Sequence, residues 1–412
     1  MVLPQSLTVE LTAWLRQNWD PDLALLAWRQ RLYEGRWAVP AWPEAWNGRG
    51  WPDWTEPVVS RVIADFGAPG IPGGAATGLA APTILTHGPD PVRERFLAPL
   101  LTGEETWCQL FSEPGAGSDL AGLTTRAEKD GDEWVVNGQK VWNTSAHHAD
   151  FGLLVARTDW EAPKHRGLTY FVLPMHQPGV MVRPLRQMNG HASFNEVFLT
   201  EARVPSDSVV GEVGQGWNVA RTTLAHERRF GAIRVGRVPS GGGRARAEAR
   251  AEAERNFAPY VWYPQRAGRA DLLAGRAEAS GASAEPSVRQ EITRAQSIEK
   301  VSAWTAERAR VARAAGRPPG PEGSIGKLAM SRLARAAADA HSLIAGPSAM
   351  LSGSDSPADG LVAEVLISVP AQSIAGGTDE IQHNILAENV LGLPREPSTD
   401  RDVPFRSLPR NL

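Results

Sequence analysis

QLFSEPGAGSDLAGLTTRAEKDGDEWVVNGQKVWNTS, Gln109 to Ser145, is the stretch whose reading decides the fold. It opens on an apolar pair, Leu110-Phe111, and passes into EPGAGSD, Glu113 to Asp119. Pro114, Gly115 and Gly117 are incompatible with a helix interior or a central strand, so this part is a loop. Glycine there lets backbone N–H groups approach a planar or anionic ligand closely. Ser112 and Ser118 add hydroxyls at the two ends. The run from Glu133 to Trp142 reads as two short strands joined by Asn137-Gly138, a strong hairpin signal. It ends on Trp142-Asn143-Thr144, an aromatic plate beside a hydroxyl donor.

Outward from this stretch the chain changes character twice. On the N-terminal side, Leu11, Leu15, Leu23, Leu26 and Leu32 recur at near-helical spacing, with Asp20-Pro21 as an N-cap and first-turn pair between two helices. A loop rich in Pro, Gly and Trp follows, Gly35 to Pro52, and its tryptophans (Trp37, Trp42, Trp46, Trp51, Trp54) read as a packed aromatic cluster. Helical pattern returns at 56–66 and 75–101, broken by the turn Gly88 to Pro91. Beyond Trp107 the period becomes two: 133–136, 151–156, 168–173, 180–184 and 195–199 are short strands between turns. From Gly214 helices resume, through Glu227, over 286–315, 323–344 and 360–369, and to the end at IAGGTDEIQHNILAENVLGLPRE. Residues 239–286 are the least patterned; within them RARAEARAEAER reads as an alanine-rich helix with a solvated, mixed-charge face. The fold class is α+β: an N-terminal α-helical domain (1–107), a middle antiparallel β-barrel or sandwich (108–211) and a C-terminal helical bundle (212–412).

At 412 residues the chain can bury a large core. Its net charge of −3 offers no field for nucleic acid or an anionic membrane. Cys108 is the only cysteine, which excludes an internal disulfide and a Cys-rich metal site and suits a reducing cytoplasm. The N-terminus lacks the basic-then-apolar pattern of a secretory signal, and no stretch reads as the ~20 apolar residues that span a bilayer. His147-His148 and His226 have no acidic or histidine companions at ligand spacing, so no metal is expected.

The order and spacing of EPGAGSD, NGQKVWNT, and AGGTDEIQ with LGLPRE resemble the acyl-CoA dehydrogenase family. The resemblance implies an α–β–α fold, FAD as cofactor, an acyl-CoA substrate, and electrons handed to an external carrier such as electron-transfer flavoprotein. It places Gln109, Phe111, Ser112, Gly117 and Ser118 along the flavin and the acyl thioester, and Trp142 and Thr144 over the isoalloxazine. Thr378 and Glu380 would meet the cofactor. The family's Arg-x-x-Phe-Gly run for the pyrophosphate is missing; Arg289 is a weak substitute, and Ala345-Gly346 is the remnant of a Gly-Gly turn. The resemblance also implies an oligomer, a homodimer or homotetramer or a mixed assembly. The Ala-Gly-Gly-Thr version is similar to actinobacterial members, some of which act on sterol side chains as mixed-subunit assemblies.

Dehydrogenation at Cα–Cβ needs a base, a hydride acceptor and donors for the carbonyl oxygen. Many members carry the base just before Gly-Thr; here Gly376 stands there and can offer only its N–H to the thioester. Another branch places a glutamate before an arginine on the helix after the barrel, and this chain has Glu227-Arg228. Glu227 is therefore the candidate base, with Arg228 holding geometry or charge on the substrate side. Without the resemblance, Glu227 would read as a surface carboxylate paired to an arginine. Asp379 and Glu380 are the other carboxylates considered. The alternatives are a half-site subunit without its own base, a bare CoA-ester-binding module, and an oxygen-using oxidase.

Overall fold

The structure, a computed structural model, describes residues 4–230, 240–317, 320–395, 397, 400 and 402–409, without the side chains of 228–230 and 314. The chain divides into two compact units. One comprises residues 1–185, 192–259 and 398–412; the other comprises 186–191 and 260–397.

The first unit begins with α1 (Pro4–Asn18), α2 (Leu25–Glu34), α3 (Thr55–Asp65), α4 (Ala81–His87) and α5 (Asp90–Thr102). Asp20-Pro21 does not open the second helix. Ala24 is its N-cap, and Asp20 instead closes an Asx turn on the Asp22 N–H at 2.9 Å. Leu7, Leu11, Leu15, Leu25, Trp28 and Leu32 fill one core with Trp37, Val59 and Ile63. The loop tryptophans divide between two cores: Trp37 and Trp51 join this one, Trp42 and Trp46 pack on the next, and Trp54 is exposed.

Seven strands follow: β1 (Trp107–Leu110), β2 (Arg126–Asp130), β3 (Glu133–Lys140), β4 (Phe151–Arg157), β5 (Leu168–Pro174), β6 (Val180–Leu185) and β7 (Phe194–Pro205). They form one curled sheet in the order β1-β4-β2-β3-β7-β6, with β5 paired to β4. The expected all-antiparallel pairing fails at two places: β1 runs parallel to β4, and β2 also meets β4 in parallel, through Arg126 and Arg157. The unbroken apolar runs of β4 and β5 have a physical cause: both faces are buried. Leu153, Val155, Leu168, Tyr170 and Val172 enter the core shared with α4 and α5, while Leu154, Ala156, Phe171 and Leu173 enter the core inside the curl.

The Asn137-Gly138 hairpin is a correction. Glu133–Lys140 is one strand, paired to β2 on one side and β7 on the other, with a register shift between Val136 and Gly138. The real turn lies earlier, at Gly131 (φ 59°), between β2 and β3. Asn137 serves the bulge by accepting the Glu201 N–H at 2.9 Å. Gly138 is required by close approach, since a Cβ there would lie 2.8 Å from Thr125 Cα.

Two more helices complete this unit, α6 (Gly216–Phe230) and α7 (Arg244–Phe257). The alanine-rich α7 is not merely a solvated face. Ala245 and Ala249 are buried, and Glu252 grips the buried Arg29 of α2 through two bonds of 2.6 and 2.8 Å.

The second unit carries α8 (Tyr263–Arg266), α9 (Leu273–Ala279), α10 (Pro286–Ala314), α11 (Glu322–Ala345), α12 (Leu361–Ser368), α13 (Pro370–Ile374) and α14 (Asp379–Asn389). Small residues on α11 (Ala334, Ala336, Ala337, Ala340) let neighbouring helices approach closely. By length and composition alone, Pro357–Asn389 is apolar enough to cross a membrane, which corrects the expectation of no such stretch. It is not one helix, however, because Gly376 and Gly377 break it. Val362, Ala363, Val365 and Val369 along it are buried.

Candidate active site

The EPGAGSD loop leaves β1 and is pinned from beneath by the end of β3. Lys140 Nζ donates to Phe111 O at 3.0 Å, and Val141 N to Ser112 O at 2.9 Å. Glu113 and Ala116 close a tight turn around Pro114-Gly115 by exchanging backbone bonds of 3.0 and 3.1 Å. The Glu113 side chain folds under the loop and accepts four bonds: from Thr124 N (2.7 Å), Thr124 Oγ1 (2.9 Å), Thr125 N (2.8 Å) and Lys140 Nζ (2.9 Å). Burial pushes this carboxyl up, but the Lys140 charge and the donors more than reverse that and hold it at about 2. Lys140 is itself pulled below the ordinary ammonium range by burial, with Glu113 opposing. This clasp was missed in the sequence, where Lys140 read as a strand residue; its signal was a charge on the inward side of an alternating strand. The result is a loop whose Gly117 and Ser118 are held exposed above a fixed base, with Phe111 buried below against Tyr170.

Beyond Lys140 the chain displays Trp142. It sits at φ 64°, an uncommon conformation for a bulky residue, leaves its indole 56% exposed, and meets Phe194 edge-on at 5.7 Å. Asn143, buried next to it, is locked to β7. Its backbone exchanges two 3.1 Å bonds with Asn195, and Asn195 Nδ2 donates to Asn143 O at 2.8 Å. Asn143 Nδ2 then donates to the Gln109 carbonyl at 2.7 Å, while its Oδ1 is buried without a partner among the described residues. Thr144 is half-buried at the same turn.

Helix α6 brings Glu227 to this loop. Thr223, one turn earlier, is fully buried and joins a hydroxyl chain with Thr83 and Tyr170, each at 3.0 Å. That chain fixes the rotation of the helix, so the next turn of the same face presents Glu227. Its Oε2 accepts from Gln109 Nε2 at 3.2 Å. The structure thus gathers Gln109, Phe111, Ser112, Gly117, Ser118, Trp142, Thr144 and Glu227 in one unit. The side chain of Arg228 lies outside the described residues.

The remaining candidates belong to the second unit. Gly376 and Gly377 are both left-handed, at φ 71° and 85°. A Cβ on Gly376 would meet nothing within 4 Å among the described residues, whereas one on Gly377 would lie 2.6 Å from Gln382 Nε2. Thr378 caps α14, accepting from Ile381 N at 3.2 Å. Asp379 is buried and bound at 3.1 Å to both Lys327 and Arg335, so it rivets α14 to α11. The Glu380 carboxyl is held below its ordinary range by its own backbone N–H and the Thr378 hydroxyl. Arg289 NH1 donates to the carbonyls of Ser283 (2.9 Å) and Ala284 (2.6 Å). Gly346 ends α11 at φ 53°. No group of three potential metal ligands occurs among the described residues.

Comparison with known proteins agrees with this architecture. The family model "Acyl-CoA dehydrogenase, middle domain" matches residues 108–202, and "Acyl-CoA dehydrogenase, C-terminal domain" matches residues 268–391. The chain is 35% identical over 379 residues to acyl-CoA dehydrogenase IpdE1 of Mycobacterium tuberculosis, covering 90% of this chain and 88% of that one. It is 32% identical over 427 residues to IpdE1 of Mycolicibacterium smegmatis, covering 96% and 99%. Among solved structures, the Tcur3481-Tcur3483 steroid ACAD shares the fold with a TM-score of 0.64 at 23% identity, over 95% of this chain and 98% of that one. The ChsE4-ChsE5 complex of Mycobacterium tuberculosis does so with a TM-score of 0.59 at 24% identity, over 95% and 98%. A curled β half-barrel with helices before and after it, a pinned Gly/Ser loop and this identity along nine-tenths of its length make the chain a member of the acyl-CoA dehydrogenase family of FAD-dependent oxidoreductases.

Proposed function

We propose that this chain dehydrogenates an acyl-CoA thioester to the 2-enoyl-CoA, with Glu227 as the base that takes the α-proton. The observation that carries the reading is the 3.2 Å contact between Glu227 and Gln109, which sets a carboxylate beside the strand that opens the EPGAGSD loop. Residues of that loop and turn suit FAD. Trp142 is an exposed aromatic plate, Ser118 and the Gly117 backbone are open to a ligand, and Asn143 Oδ1 is a buried acceptor without a donor among the described residues. Gln109, Phe111, Ser112, Gly117, Ser118, Trp142 and Thr144 would hold the flavin end, with Thr378 and Glu380 as further contacts and Arg289 and Gly346 on the dinucleotide side. When bound, FAD supplies the hydride acceptor that no side chain provides. Glu227 would hold the α-proton, and the family resemblance assigns the donor to the thioester oxygen to the Gly376 N–H. Electrons leave to an external acceptor, with electron-transfer flavoprotein as the family resemblance implies.

Open space at the Gly376 Cβ position favours a branched or bulky acyl group, sterol side chains included. The name of one fold neighbour, a steroid ACAD, agrees with that preference. A second reading, a subunit that works in a mixed assembly, draws on the printed name of one fold neighbour, the ChsE4-ChsE5 complex.

The test is a dye-coupled acyl-CoA panel, from straight-chain to steroid thioesters, on wild type and Glu227→Gln. The variant should keep its flavin absorbance and lose about 100-fold or more in rate, the range of general-base catalysis. An unchanged rate removes Glu227 from the mechanism. Activity that emerges only on mixing with a second chain selects the mixed-assembly reading.

A further inference from the structure

We infer that Gln109 is a positioning residue that aims Glu227, rather than only a flavin contact; the inference rests on the reading of Glu227 as the base. Its side-chain amide donates to Glu227 Oε2 at 3.2 Å, which leaves Oε1 without a partner among the described residues and as the oxygen that receives the proton. The donor is held from two sides. Strand pairing sets the Gln109 backbone opposite Leu153 of β4, and Asn143 Nδ2 binds the Gln109 carbonyl at 2.7 Å. Asn143 is in turn fixed by Asn195, both being 1% exposed. A ladder of three amide side chains, Asn195, Asn143 and Gln109, therefore runs from β7 through the Trp142 turn to the carboxylate on α6. The same turn that displays Trp142 sets where Glu227 points, so flavin-side geometry and base geometry share one support.

The elements packed on α6 leave this role to Gln109. His87 of α4 reaches Thr222 at 2.8 Å and Tyr170 of β5 reaches Thr223 at 3.0 Å, both about one turn before Glu227. His165 meets Trp217 at the start of the helix. Among the described residues, Gln109 is the partner bonded to the Glu227 carboxylate.

The test compares Gln109→Leu with wild type in the flavin-loaded protein. A charge-assisted bond lost from an oriented base predicts kcat about 10- to 100-fold lower, with KM for the acyl-CoA within about twofold. Proton removal becomes the slow step, so the α-deuterium isotope effect should rise while the β-deuterium effect falls. Anaerobic wash-out of α-deuterium into solvent, which needs no turnover, should slow in parallel. Gln109→His, which restores an N–H donor, should recover part of both rates, and it guards against a leucine variant that folds poorly. Equal loss in KM and kcat with unchanged isotope effects would overturn the inference and leave Gln109 as a packing residue. If Glu227→Gln is inactive while Gln109→Leu behaves as wild type, only the positioning role fails. If Glu227→Gln is active, the base assignment fails first.

Discussion

Replacing Lys140 by methionine tests whether the EPGAGSD loop is held by its buried ion pair. The substitution keeps a long unbranched chain in a site that is 0% exposed and removes the ammonium, with its charge and its bonds to Glu113 and the Phe111 carbonyl. Glu113, 6% exposed, then keeps its three threonine donors but loses the cation at 2.9 Å. Breaking a buried pair from one side costs about 3–5 kcal/mol, because the remaining charge is uncompensated. The acid limb of wild-type stability gives a second estimate. Glu113 ionises at about 2 in the folded chain against an ordinary 4.5. A depressed carboxyl contributes stability that is present above about 4.5 and lost as pH falls toward about 2. At ~1.4 kcal/mol per pH unit, that is about 3 kcal/mol. The assay is urea denaturation at pH 7 and across pH 5 to 2, followed by tryptophan fluorescence and flavin release. Lys140→Met should lower stability by about 3 kcal/mol at pH 7, and the double variant with Glu113→Leu should be less unstable than Lys140→Met alone. A single variant within about 1 kcal/mol of wild type, still retaining flavin, would refute the clasp.

Three further outcomes follow from other contacts. Burial raises the Glu56 carboxyl to about 7, against a backbone bond from Ala41, so the stability it contributes is present below about 4.5 and lost as pH rises through 7; Glu56→Gln should abolish that loss, about 3 kcal/mol, in a pH series of melting curves. Arg29→Met leaves Glu252 without its bidentate partner and should free α7 from α2 at a cost of about 2–4 kcal/mol, read as new amide exchange over residues 244–257. Trp142→Gly relieves a left-handed strain of about 1 kcal/mol yet removes the exposed indole, so the protein should melt no lower while its FAD dissociates faster in a fluorescence-release assay.

Sequence pattern revealed most of the fold because long periodic segments dominate it. The helices over 286–314 and 322–345 and the apolar strands at 151–157 and 168–174 stand where period and composition placed them. What escaped was decided by contacts distant in sequence. Asn137-Gly138 carries a local turn signal, but pairing on both edges of β3 overrides it, and the glycine answers the approach of Thr125 instead. The mixed charges of α7 look solvated until Arg29, 223 residues away, claims Glu252. In the candidate site the glycine and serine positions were legible as a loop, yet the one local sign of the clasp, a charge on the inward side of β3, named no partner, and nothing local announced that two asparagines carry the loop's geometry to Glu227. Buried polar pairs leave no periodic trace, since each partner satisfies a rule only in the presence of the other.

The same distinction bears on why a carboxylate suits α6 better than the Gly376 turn. At φ 71° a side chain on residue 376 would carry about 1 kcal/mol of backbone strain, and with nothing within 4 Å of its Cβ it would have no neighbour to hold one rotamer. Glu227 sits on a helix whose rotation is set by a buried threonine one turn away, and its oxygen is already bonded to a side chain anchored in the sheet. A base gains rate from orientation, and orientation comes from packed elements more readily than from an open turn. On the proposed reading, glycine at 376 gives up no proton acceptor and keeps a backbone donor. On that reading base and carbonyl donor come from different stretches of the chain, so a change at residue 376 need not touch the carboxylate.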